Sequence, residues 1–501
     1  MSNLHGYLLG LDIGSSSVKA SIVEISSGQS VIACQSPTEE MPMIATQQGW
    51  AEQDPNLWWK HVVIATKTCL QKSKIKAEQV LAVGLAYQMH GLVIVDHDLE
   101  PLRHSIIWCD SRAVQIGDKA FSDLGKDFCL RHFLNSPGNF TAAKLGWIKV
   151  NEPALYDHIY KIMLPGDFIA MKMTGEIATT ESGLSEGIFW DFEEKSTSKK
   201  LMDYFGFDYS FLPTVSPTFS VQGQLSKSAS MELGLKQGTP ISYRAGDQPN
   251  NAFSLGALNP GETAATAGTS GVVYNITDQN VFDSQSRVNT FIHVNNTKDS
   301  IRNGVLLCVN GTGIQYNWLR KNLNGRDASY PEMNAMAQLA PIGADGISVL
   351  PFGNGAERIL NNKEIEGSIH GLNFNIHNQS HVFRAAQEGI VFALKYGFDL
   401  LTDIGLKTNV IKAGNANMFL SPVFKEAFAN TLGAPIELYD TDGAKGAALG
   451  AGVGAGIYTS YQDAFGGLNL IECIEPEKSK SADYTQAYQR WKKILSSSIQ
   501  Q

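Results

Sequence analysis

The chain has 501 residues, 43% of them hydrophobic and 18% charged, with a formal net charge of −9. That length exceeds one ordinary hydrophobic core, and the composition is that of a packed globular protein, so two domains or more are expected. An acidic balance without a basic face argues against a nucleic-acid partner, while leaving room for a small anionic ligand held by local backbone donors.

Residues 7–11 form a short apolar run, followed by Asp12-Ile13-Gly14-Ser15-Ser16-Ser17 and then the apolar stretch 18–25. This reads as a β-hairpin with a Gly and Ser tip. A helical pattern covers 57–69, and strand patterns cover Val80–Tyr87 and 92–96. The Gly- and Pro-punctuated strand at 240–248 marks the domain boundary, which divides the chain into 1–245 and 246–501. Roughly half a chain after the first hairpin, Glu262–Ala267 leads through Gly268-Thr269-Ser270-Gly271 into 272–276, the same pattern again. Two such tips so far apart predict two related halves rather than a short-period repeat. A strand at 346–351, a helix over 382–401, a strand at 409–412, a small-residue helix from Gly443 and an amphipathic helix at 484–495 complete the order. Alternating strands and helices imply an α/β architecture.

The hairpin tips carry the first chemical signal. A phosphate needs several backbone N–H groups converging on it, and Gly and Ser let the chain curl closely enough to supply them. Asp12, at the end of the first strand, is placed to hold a water-coordinated Mg²⁺ beside that phosphate, and Lys19 adds a positive charge as the hairpin folds back. An ordinary Gly/Ser turn fits the first tip equally well. The second hydroxyl-rich tip favours the phosphate reading. Asp247, directly after Gly246 at the end of an apolar strand, can accept a proton from an attacking hydroxyl, although a turn or helix-cap aspartate reads the same way.

Other nucleotide and metal motifs fit less well. The P-loop pattern is absent, and the glycines from Gly446 to Gly456 lack the GxGxxG spacing after a strand. His377 and His381 stand four apart, as ligands on one helix face would, but no third ligand accompanies them. The six cysteines are scattered, as reduced thiols would be. With no signal-peptide pattern and no membrane-length apolar run, a cytoplasmic protein without a membrane partner is expected. A homodimer is the commonest oligomer for such a chain.

From Gly10 to about Tyr458 the chain resembles the FGGY carbohydrate kinases of the actin-like ATPase superfamily, and within them the xylulokinase branch. Asp12 to Lys19 is similar to the family's first phosphate hairpin and Gly268–Gly271 to its second. Gly246-Asp247 falls at the family's catalytic base, and Gly311-Thr312-Gly313-Ile314-Gln315 resembles an ATP-contacting segment. Gly367 through Glu388 is similar to the C-terminal signature, with Gln387 where an apolar residue is usual. Gln88-Met89-His90-Gly91 looks like the sugar-binding turn of xylulokinases, as does the entry region from Trp50 to Trp59. Ile107 to Arg112 matches the Trp-x-[Asp/Asn]-x-Arg element, which contains Asp110.

The resemblance implies two actin-like (ribonuclease-H-like) α/β domains with a catalytic cleft between them, and ATP-dependent phosphorylation of a pentulose such as D-xylulose. It implies Asp247 as the base, with Gln88, Met89, His90, Asp110 and Gln248 around the sugar. Gly14, Ser15, Ser16, Lys19, Gly268, Thr269, Gly311, Gln315 and Gly414 then meet ATP, and Asp12 with Asp247 places Mg²⁺ through water. Two departures bear on specificity: Ala413-Gly414-Asn415-Ala416 replaces the family's Gly-Gly-Gly-Ala, and Gln248 stands where many xylulokinases carry Asn. Other readings are a kinase of ribulose or gluconate and, from another class, a non-catalytic sugar sensor.

Overall fold

The structure is a computed structural model and describes residues 5–323 and 329–500. The apolar run near the amino terminus forms β1 (Tyr7–Ile13), which turns back through the Gly/Ser tip into β2 (Val18–Glu24) and β3 (Ser30–Ser36). With β4 (Val80–Tyr87), β5 (Phe219–Gln224) and β6 (Pro240–Gly246) these form a six-stranded sheet in the order β5-β6-β4-β1-β2-β3. β4 lies parallel to both β1 and β6, with Ile13 and Gly246 each paired to Tyr87. Three parallel strands therefore end together at one edge. Leu8, Leu9, Leu11 and Ile13 of β1 are all buried, as a parallel strand covered on both faces requires.

One cover is the Gly443–Gly454 helix, whose small residues allow backbone-to-backbone packing. A Cβ on Gly10 would lie 1.8 Å from the Ala444 carbonyl oxygen, and one on Gly84 would lie 2.0 Å from that of Ala447. The Pro55–Ser73 helix packs on β2 and β3 with Trp58 fully buried, and Asp54 caps it by accepting from the Asn56 N–H. This compact unit comprises the residues up to Gly256 together with Phe291–Asn303 and Thr441–Leu468.

A second unit holds Ala257–Thr290, Gly304–Asp440 and the residues from Asn469 onward. Its strands are β7 (Glu262–Ala267), β8 (Gly271–Thr277), the start of β9 (Asn289–Ile292), β10 (Asn303–Val309) after its first residue, β11 (Val410–Gly414), β12 (Ile436–Tyr439) and β13 (Leu470–Ile474). They form a sheet in the order β9-β10-β8-β7-β11-β12-β13. As in the first unit, a hairpin (β7-β8) feeds a parallel neighbour (β11). The Gln379–Asp403 helix supplies the core with Phe383, Ile390, Val391 and Leu394, and the closing Lys478–Gln500 helix buries Tyr484, Tyr488, Trp491 and Leu495.

Gln387, polar at a core position of that long helix, is satisfied there. It donates to the Tyr316 hydroxyl at 2.8 Å and accepts from Ser421 at 2.6 Å. His377 and His381 instead meet the carbonyl and carboxylate of Asp345. No helix among the described residues is long and apolar enough to cross a membrane.

Candidate active site

Because β1, β4 and β6 end at the same edge, the segments that follow them are neighbours: the Gly14–Ser17 tip, the Gln88–Gly91 turn and Asp247. In parallel sheets this carboxyl edge is where ligands bind. The tip is held from beneath. Gly14 N–H donates to Ser17, Met41 N–H to the Ser16 carbonyl and Gln53 Nε2 to the Ser15 carbonyl at 2.6 Å. Lys19 lies opposite Asp12 on the hairpin. Trp108 is half exposed, its indole N–H 3.4 Å from Ser15 Oγ.

Asp247 does not close a strand. It opens the Asp247–Ser254 helix, whose first-turn N–H groups favour a carboxylate. Even so its carboxyl is pushed up to about 7, first by burial and then by Asp12, with hydrogen bonding to Gln248 working the other way. Asp12 is pushed up to about 6, chiefly by burial, with Lys19 lowering it and Asp442 raising it. Asp442, which sequence reasoning passed over, caps the Gly443–Gly454 helix by accepting from Lys445 N–H. Asn250 donates to the Gly443 carbonyl while its own Oδ1 is buried with no hydrogen-bond partner among the described residues.

Asp442 and Asp12, and Asp12 and Asp247, are therefore within electrostatic reach of each other. No three His, Cys, Asp or Glu side chains among the described residues converge as direct metal ligands.

Gln88 and Met89 are buried at the start of their turn, and His90 is only partly buried, in left-handed backbone at φ 62°. Gln88 Oε1 is a buried acceptor with no partner among the described residues, although its amide N reaches Gln53. Asp110, expected beside the sugar, is fully buried with both oxygens engaged. It accepts from Ala51 N–H at 2.6 Å and from the Arg112 guanidinium at 2.7 Å. Its carboxylate thus fixes Arg112, which stacks on Trp50.

Sequence reasoning also missed Glu186 and Lys144, both fully buried and both bonded to His90. No spacing marks them, because each sits in its own helix far along the chain from the turn it supports.

In the second unit, the Gly268–Gly271 tip packs on the start of the Gly313–Leu323 helix. Gly313 N–H donates to the Gly268 carbonyl and Ile314 N–H to that of Thr269. A Cβ on Gly313 would lie 2.2 Å from Gly268 O, and one on Gly311 would lie 1.3 Å from Pro351 O. Glu357, another residue without a sequence signal, receives Asn310 N–H on both carboxylate oxygens at 3.0 and 3.1 Å. Burial pushes its carboxyl up to about 7, against backbone hydrogen bonds from Asn310 and Gly311.

Gly311 and Gln315 line a cavity of about 610 Å³ together with Trp318, Phe352, Gly353 and Ile369. Gln315 Oε1 is buried and has no hydrogen-bond partner among the described residues. Gly268, Thr269 and Gly414 are not among the cavity's lining residues. Gly414 ends β11, where its carbonyl accepts from Ala416 N–H and where Asn417, in left-handed backbone, lies close to Gly268.

Two family models, the N-terminal and C-terminal domains of the FGGY carbohydrate kinases, match residues 7–254 and 263–457. The chain belongs to the FGGY family of carbohydrate kinases. It is 27% identical to the xylulose kinase of Bacillus subtilis, over 91% of this chain and 90% of that one. Among solved structures, it resembles the xylulose kinase of Rhodospirillum rubrum at TM-score 0.86 and 24% identity, covering 98% of both chains. The gluconate kinase of Lactobacillus acidophilus aligns at TM-score 0.88 and 23% identity, over 99% of this chain and 98% of that one. The fold is thus the two-domain, actin-like fold of the FGGY kinases, and the protein is a sugar kinase that uses ATP as phosphoryl donor.

Proposed function

We propose that this FGGY kinase phosphorylates the 5-hydroxyl of D-xylulose. The observation that carries the reading is the edge where β4 and β6 end side by side, which brings Gln88-Met89-His90 next to Asp247 and Gln248. Buried polar atoms left without partners there, such as Gln88 Oε1, are what a site for a polyhydroxylated ligand needs. Curated relatives named xylulose kinases support the choice of sugar.

In this reading the residues of 1–245 carry the sugar turn and the first phosphate hairpin, and those of 246–501 carry the base and the nucleotide contacts. Met89, His90 and Gln248 orient the sugar so that its terminal hydroxyl faces Asp247. Asp247 accepts that proton as the hydroxyl oxygen bonds to the γ-phosphorus and the bond to ADP breaks. The backbone donors and hydroxyls of Gly14, Ser15 and Ser16, and of Gly268 and Thr269, meet the phosphates with Lys19, while Gly311, Gln315 and Gly414 meet the nucleoside. Asp12 and Asp247 would hold Mg²⁺ through water, and when bound the ion supplies neutralisation of the phosphate charge. Asp110 contributes from behind, through Arg112.

Product analysis tests the reading. Phosphorus and carbon NMR of the product formed from xylulose and ATP should show the phosphate on C5. A phosphate on another carbon, or none, would refute it.

A further inference from the structure

Resting on that reading, we propose that Glu186 and Lys144 are positioning residues for sugar binding, which clamp the backbone of His90 from both sides. His90 holds left-handed backbone, a conformation that residues with a Cβ adopt uncommonly and at a cost. Here the restraint is specific. Glu186 Oε1 accepts from His90 N–H at 3.3 Å, and Lys144 Nζ donates to the His90 carbonyl oxygen at 2.8 Å. Both side chains are fully buried, so neither is held there for contact with water.

The main chain of Glu186 also sets the ring. His90 Nδ1 lies 3.0 Å from the Glu186 carbonyl oxygen, which can only accept, so Nδ1 carries the proton. In the neutral ring Nε2 is then an acceptor, the polarity that suits a sugar hydroxyl. Phe140 and Phe291 pack on the ring with centroids 4.8 and 5.2 Å away, which limits its rotation.

The clamp reaches the reacting end as well. A Cβ on Gly246 would lie 2.5 Å from Glu186 Oε2 and 2.6 Å from Met89, so Glu186 also fills the space beside the residue preceding Asp247. That oxygen is buried and has no hydrogen-bond partner among the described residues. Burial first, and then the neighbouring carboxylates of Asp247 and Asp167, push the Glu186 carboxyl well above its usual range. Burial pushes the Lys144 ammonium down to about 7.

The test is a set of steady-state measurements on the full chain. Glu186→Ala should raise the KM for the sugar roughly tenfold, the scale of one lost buried hydrogen bond, and leave the KM for ATP within about twofold. Glu186→Gln keeps an acceptor oxygen for His90 N–H and should stay within about threefold of wild type, which also guards against an alanine variant that fails to fold. Lys144→Met should follow the alanine pattern. In a His90→Gly background, Glu186→Ala should add no more than about twofold, because it acts through the residue already changed. An unchanged sugar KM in Glu186→Ala, an equal rise in the KM for ATP, a Gln variant as impaired as the Ala one, or effects that multiply in the double variant would each overturn the clamp. Failure of the xylulose reading is separable, since wild-type protein would then release no xylulose-dependent ADP.

Discussion

Asp247 is raised by Asp12: after burial, that neighbouring carboxylate is the largest influence holding the Asp247 carboxyl at about 7. A base must be ionised to accept a proton, so kcat/KM for the sugar should rise with pH through about 7 and level off above it. Asp12→Asn removes one upward push, so the limb in its residual activity should move to lower pH. A pH profile of kcat/KM from 5 to 9 checks this. A limb that stays in place or moves up contradicts the coupling.

The same shifts bear on stability. Asp12 and Asp247 hold protons more tightly in the folded chain than their ordinary value of 3.8 allows, at about 6 and about 7. Their contribution to stability is therefore fully present below about pH 4 and is lost as pH rises through 6 to 7. Asp247→Asn should raise the Tm of the ligand-free protein at pH 8 by roughly 1–4 °C and change it little at pH 4. Thermal denaturation at the two pH values gives the answer, and a lower Tm at pH 8 would reverse the sign of the argument.

Removing the base should be costly to chemistry and mild for structure. Asp247→Ala is expected to lower kcat by roughly 10²–10⁴, with a normal melting transition. Turnover near wild type would take the proton-accepting role away from Asp247.

In the second unit, the backbone contact at Gly313 sets a sharper steric limit than any side chain nearby. Gly313→Ala puts a Cβ 2.2 Å from Gly268 O and should displace the Gly268–Gly271 tip, raising the KM for ATP at least about tenfold while the sugar KM moves little. Glu357→Ala, which leaves Asn310 N–H without its acceptor, should act in the same direction by about threefold to thirtyfold. Nucleotide titrations of both variants decide it. Unchanged ATP affinity in Gly313→Ala would mean that the tip does not meet the phosphates.

The hairpins were legible because Gly and Ser between two apolar strands constrain the backbone locally, whatever surrounds them. β7 accordingly has the expected bounds Glu262–Ala267, and the apolar run Val80–Tyr87 forms β4 over its whole length. Asp247 directly follows the strand that ends at Gly246 and opens a helix, in keeping with the helix-cap alternative that the Gly246-Asp247-Gln248-Pro249 sequence leaves open. Asp110 lay in a recognisable motif, but only the packing shows that Arg112 and Ala51 engage its carboxylate.

Glu186, Lys144 and Glu357 were illegible for a common physical cause. Charged residues at such positions ordinarily read as solvated, and only tertiary packing shows them buried against a turn distant in sequence. Gln387 is the converse case. Its polarity looked out of place in an apolar helix until Tyr316 and Ser421 supplied its partners.

The most direct test of xylulose phosphorylation is coupled ADP release with ATP and Mg²⁺ against xylulose, ribulose, gluconate, glycerol and xylose. Turnover that strongly favours xylulose is the predicted result. Preference for any other member of the panel, or no sugar-dependent release from folded protein, would contradict it.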